Sequence, residues 1–104
     1  MKEKGDKKAM IKHVVCFKLK DRAQAPKARE VLLSMEGRVE QIRSIQVGLD
    51  FLASPRSYDV ILEVVLKDRE ALEPYQNHPY HVDVVKEHMH RVAETSVSID
   101  YELD

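Results

Sequence analysis

From Ile11 the chain alternates. Ile11, His13, Val15, Phe17 and Leu19 fall at every second position, and only His13 among them is neither aliphatic nor a hydrocarbon aromatic. Successive strand side chains point to opposite faces, so this period predicts a strand with one buried face. The opposite face, Met10, Lys12, Val14, Cys16 and Lys18, is mixed. Residues 21–24 break the alternation, and Pro26 suits the first turn of a helix, where its missing N–H is not needed. Ala28, Val31, Leu32, Met35, Val39 and Ile42 then recur at threes and fours, which predicts a helix with one apolar stripe. Gly37 inside it weakens the helix by about 1 kcal/mol relative to alanine. The period returns to two at Ile45, Val47, Leu49 and Phe51, alternating with Gln46, Gly48, Asp50 and Leu52. Ser54, Pro55, Arg56 and Ser57 form a turn.

A third strand covers 58–67, with Tyr58, Val60, Leu62, Val64 and Leu66 on one face and Asp59, Ile61, Glu63, Val65 and Lys67 on the other. Strands two and three read as a hairpin. Asp68 caps a short helix carrying Leu72 and Tyr75, which Pro74 interrupts. A further helix is predicted over 79–93 with Val82, Val85, Met89 and Val92 as its stripe. The last strand, 96–103, sets Val97, Ile99, Tyr101 and Leu103 against Ser98, Asp100 and Glu102. The order βαββαβ predicts an α+β fold of ferredoxin-like type, a four-stranded antiparallel sheet with both helices on one face. The other face then holds Val14, Cys16, Ile61, Val65 and Leu52, with Asp59, Glu63 and lysines around them. A half-solvated sheet tolerates some valines. A patch of this kind more often meets a partner, and the economical partner is a second copy placed sheet to sheet.

Composition narrows the class. The 104 residues suffice for one domain, and 43% hydrophobic with 34% charged is globular. A net charge of −1 lacks the basic excess that nucleic acid or acidic lipid selects, so neither nucleic acid nor membrane is an expected partner. One cysteine excludes an intrachain disulfide and a multi-cysteine metal site. No apolar run approaches the ~20 residues of a membrane span, and the charged opening residues do not read as a secretory signal. The expectation is a cytoplasmic protein with a flexible tail over 1–9 and one domain over 10–104.

Candidate chemistry concentrates in one stretch. His78, His81, His88 and His90 lie close together, and the fifth histidine, His13, sits on the first strand. Pro74 and Pro79 stiffen the cluster Tyr75-Gln76-Asn77-His78-Pro79-Tyr80-His81. A 100° wheel places His78 near the centre of the stripe, His81 at its edge and His90 on the solvent side. His13, Val60, Tyr75 and His81 are expected to line one cavity, where imidazole and phenol make an acid–base pair near neutral pH. Each has a plainer reading: His13 as a hydrogen-bonded core histidine, His78 as a helix-entry residue bonded to backbone, Tyr75 as a core aromatic. His88 and His90, two apart on a helix, do not face one metal, and Cys16 reads as an inert buried thiol.

The strings IKHVVCFKLKD, SPRSYDVILEVVLKD and above all ALEPYQNHPYHVDVV resemble the stress-responsive dimeric α/β-barrel (Dabb) family over about residues 10–103. The resemblance implies a ferredoxin-like monomer whose sheet pairs with a second copy to close a barrel. The family's plant polyketide cyclases close a ring by an aldol step without a cofactor. By motif, their catalytic tyrosine and histidine fall on Tyr75 and His81, and a strand-one pocket histidine on His13; a strand-three pocket histidine falls on Val60. The expected site is therefore catalytic His81 and Tyr75, substrate-lining His13, Val60, Tyr58 and His78, no metal and no cofactor. Three functions fit: a cofactor-free cyclase, lyase or isomerase acting on a small carbonyl compound; a non-catalytic stress-response protein holding a small apolar ligand; and a cofactor-free monooxygenase.

Overall fold

The computed structural model describes residues 8–103. Strands β1 (Ile11–Leu19), β2 (Ile42–Leu49), β3 (Val60–Leu66) and β4 (Ala93–Glu102) form one sheet in the order β2-β3-β1-β4, antiparallel throughout. Helix α1 (Ala25–Leu33) joins β1 to β2; α2 (Leu72–Gln76), a π-helical turn (His81–Lys86) and α3 (Glu87–Val92) join β3 to β4. This is the ferredoxin-like order, with the second helical region divided. Leu62, Val64 and Leu66 of β3 share one buried cluster with Leu32, Val85 and Met89 from the helices. Each such side chain contributes about 1.5–3 kcal/mol relative to exposure. No helix among the described residues is long and apolar enough to cross a membrane. Most of the expected tail, residues 1–7, and Asp104 lie outside the described residues.

Several boundaries depart from the periodic reading, β4 among them, which starts at Ala93 rather than at 96, and two have a clear local reason. The stripe through Ile42 is not one helix. Helix α1 stops where the Ser34 hydroxyl donates to the Val31 carbonyl, and Gly37 turns the chain at φ +81°. Met35 and Val39 still reach the core from the turns that follow, and Ile42 opens β2. At its other end β2 stops at Leu49. Asp50 turns away to accept from Arg22 and from the Ala53 amide, leaving Phe51 95% exposed in a loop with Leu52. Asp59 does not rim the second sheet face either. It is buried, accepting from the Leu19 amide at 2.8 Å and from Arg22 at 2.7 Å, and so ties the end of β1 to the loop before β3.

The sheet register decides which side of β4 faces out. Val14 lies opposite Ile99 on one side and Glu63 on the other, Cys16 opposite Val97 and Ile61, and Lys12 opposite Tyr101 and Val65. Directly paired residues share a face. Val97, Ile99 and Tyr101 therefore extend the apolar band of Val14, Cys16, Ile61 and Val65 on the side away from the helices. Ile99 is 67% exposed and Val97 52%. Leu52, in its loop, is not part of the band. The helix side of β4 is the polar one, carrying Ser96, Ser98 and Asp100.

Candidate active site

The segment after α2 is shaped by side chains bonding backbone. His78 Nδ1 accepts from the Tyr80 amide at 3.1 Å, so its Nε2–H donates to Glu40, also at 3.1 Å. That is a helix-entry histidine. Three residues on, His81 Nδ1 lies 3.0 Å from the Gln76 carbonyl. A carbonyl only accepts, so Nδ1 carries the proton and Nε2 keeps its lone pair. The π-helical turn begins at His81. Its i→i+5 bonding puts more than four residues in each turn, so positions four apart come closest to alignment. His81, Val85 and Met89 are accordingly buried in line, and Val82 is exposed. The 100° wheel failed here: it set Val82 in the stripe and His81 at its edge.

Tyr75 is wholly buried between two imidazoles. Its ring centroid lies 5.5 Å from that of His13, edge to face, and 4.8 Å from that of His81, tilted. Its Oη has no hydrogen-bond partner among the described residues. Burial, aided by the charge of Asp100, pushes the phenol far above its ordinary acidity range, so it stays protonated. His13 lies on β1 directly opposite Asp100 of β4, and its Nδ1 is 2.5 Å from Asp100 Oδ1. Burial pushes His81 below the usual imidazole range against the opposing pull of the Gln76 carbonyl, with Lys86, His13 and His78 adding to the depression. His81 is thus held neutral, with a basic nitrogen to offer.

A cavity of about 470 Å³ opens beside these groups, with His13, His81, Gln76, Ser96 and Ser98 among its polar lining and Phe17, Leu62 and Met89 among its apolar lining. Of the residues expected at one site, the structure brings His13 and His81 to this cavity and packs Tyr75 between them. Val60, Tyr58 and His78 do not line it. Val60 is sealed in the core, Tyr58 precedes β3 and borders a groove with Cys16 and Phe51, and His78 is engaged with Glu40. His90, exposed as expected, nevertheless borders the cavity. Ser96, Ser98 and Gln76 were not singled out in the sequence. The alternation of Ser96 and Ser98 with Val97 and Ile99 was the available signal, once it is known which side of β4 faces the helices.

The sequence matches the stress responsive A/B barrel domain (Dabb) family model over residues 11–103. The chain belongs to the Dabb family. An uncharacterized protein of Streptomyces coelicolor is 31% identical over 98 residues, covering 89% of this chain and 99% of its own. Among solved structures, the Dabb chain superposes on a dimeric protein of unknown function and ferredoxin-like fold from Bacteroides fragilis. That match has TM-score 0.77 and 25% identity, over 90% of this chain and 96% of the other. A hydroxynitrile lyase from Passiflora edulis shares the fold with TM-score 0.75 and 14% identity, over 92% and 94% of the two chains.

Proposed function

We propose that this Dabb protein pairs with a second copy through the apolar sheet face and uses the cavity for cofactor-free acid–base chemistry on a small carbonyl compound, of lyase, cyclase or isomerase type. The observation that carries the reading is the state of His81. Its Nδ1–H is spent on a backbone carbonyl, and its Nε2 has no protein partner among the described residues and belongs to a side chain lining a cavity. Such a nitrogen removes a proton either from the carbon next to a carbonyl or from a hydroxyl whose electron pair then expels a carbon leaving group. In the first case the electron pair moves to the carbonyl oxygen, and the proton returns from His81 to product. In the second the hydroxyl oxygen becomes the carbonyl of one product, and the leaving group takes the proton. Ser96 and Ser98 offer hydroxyls to a developing oxyanion from the β4 wall. Tyr75 orients His81 through its ring, and His13 positions substrate.

The hydroxynitrile lyase among the structural neighbours is a precedent for lyase activity on this fold. The test is twofold: mandelonitrile cleavage followed by benzaldehyde release, and uptake of solvent deuterium next to the carbonyl of small ketones followed by NMR. Wild type is expected to accelerate at least one of the two, and His81→Gln to abolish that rate while keeping its fold and assembly. Equal rates for wild type and variant on every probe would remove the acid–base reading. A second reading, a cavity that holds a small apolar ligand without turnover, is favoured by the sealed Tyr75 Oη, which no cavity-bound substrate reaches as the side chains stand. It predicts binding with no rate.

A further inference from the structure

Asp100 belongs to none of the roles above, yet among the described residues it is the one acidic group hydrogen-bonded to a cavity imidazole. It sits on β4 directly across the ladder from His13, and cross-strand partners share a face, so the contact is set by register rather than by loop placement. Its carboxylate offers only acceptors to the ring. With Nδ1 engaged there, the neutral imidazole of His13 carries its proton on Nδ1 and leaves Nε2 as a lone pair. His81 is in the same state for a different reason, the Gln76 carbonyl. Neither Nε2 has a protein partner among the described residues. Asp100 also borders a separate hollow of about 300 Å³ with Ile11, Arg69 and Leu72, so the His13–Asp100 pair stands in the wall between two spaces.

We propose that Asp100 is a positioning residue that fixes His13 as a second hydrogen-bond acceptor in the cavity, so that the ligand taken there brings hydrogen-bond donors: a hydroxylated carbonyl compound rather than a bare ketone. The inference rests on the cavity being a ligand site, as proposed above, and it sharpens the ligand's chemistry. A site built to accept from a substrate hydroxyl discriminates against the analogue lacking it, because its own polar atoms are then left unpaired. The carboxylate-to-imidazole contact also fixes ring orientation, as it does for ligand histidines elsewhere.

The experiment has two arms. Long-range proton–nitrogen NMR on ¹⁵N-labelled protein at alkaline pH reads each tautomer directly. Wild type is expected to show Nδ1–H at both His13 and His81. Asp100→Ala should move His13 toward Nε2–H and leave His81 unchanged. Asp100→Asn, which keeps a carbonyl acceptor, should retain the wild-type tautomer and serves as the second variant should the alanine protein fold poorly. Binding of 4-hydroxybenzaldehyde against 4-methoxybenzaldehyde then reads the ligand preference. Wild type should favour the hydroxyl compound by about tenfold or more, and Asp100→Ala should bring the two within about threefold. An Nε2–H tautomer at His13 in wild type, a tautomer indifferent to Asp100→Ala, or equal affinity of wild type for the two aldehydes overturns the proposal. Failure of the His81→Gln turnover test leaves the tautomer arm intact, so the two ideas fail separately.

Discussion

The Tyr75 hydroxyl gives a prediction whose sign runs against intuition. Tyr75→Phe removes one oxygen from the most buried aromatic ring in the chain and leaves the ring between His13 and His81 in place. That oxygen has no hydrogen-bond partner among the described residues. A buried polar group left unpaired costs about 1–3 kcal/mol of desolvation that no bond offsets. Burial also keeps the phenol protonated, so the proton cannot be shed to relieve the site. Replacing hydroxyl by hydrogen leaves a void too small to cost much, so the variant should be more stable by about 1–2 kcal/mol. For a domain of this size each kcal/mol raises Tm by about 4–8 °C. The assay is thermal and urea unfolding at matched protein concentration, since association makes Tm concentration-dependent. The urea midpoint should rise with the slope unchanged. A lower Tm, or an unchanged one, would refute the reasoning by showing that the hydroxyl is bonded in solution. Because Oη lies outside the cavity lining, turnover found for wild type should survive in Tyr75→Phe within a few fold.

Two further outcomes follow from the same geometry. Full burial of an isoleucine contributes about 1.5–3 kcal/mol. Ile99 is 67% exposed in the monomer, so covering it in a two-fold dimer yields about 1–2 kcal/mol per copy. Losing both copies in Ile99→Lys should weaken dimerisation by about a hundredfold, before any cost of burying the lysine; sedimentation of both proteins over a concentration series checks it, and a monomeric wild type would end the dimer reading. The acid side of the stability profile follows from His81. Its folded form resists protonation below the ordinary imidazole value of 6.5, so the unfolded chain binds the proton first. Stability must therefore fall as pH drops through about 6.5 and below, and His81→Gln should flatten that decline; Tm measured from about pH 7.5 to pH 5 in both proteins decides it.

Much of the fold was legible because strands and helices impose different periods. The alternation from Ile11 gave β1, and that over 58–67 gave β3 with one or two residues too many at each end. What the periods could not carry were local exceptions. A stripe of threes and fours continues through Met35 and Val39 although the helix has already ended at Leu33, because turns can bury the same residues. Phe51 obeys the strand period and yet is free of the sheet, because Asp50 finds better partners in Arg22 and the Ala53 amide. At the site, His13, Tyr75 and His81 were singled out in the sequence and expected together from the strand face and the helix wheel, and their rings do pack together. Asp100 and the serines of β4 were not, since choosing the inward side of an edge strand needs its register. Val60 was placed at the site by the motif and packs into the core in regular alternation, whereas Tyr58 lies just before β3 and His78 is held by the Tyr80 amide and Glu40.

The π-helical turn has a consequence for the tolerance of this site to a change in length. An over-wide turn is an α-helix carrying one residue more than its length requires. Deleting exposed Asp83 would let the segment tighten to an ordinary α-helix, in which His81, Val85 and Met89 stand at i, i+3 and i+7 and still share one face. The imidazole then keeps its place above the same buried stripe. Two chains with one residue's difference in length here would share both the architecture and the site.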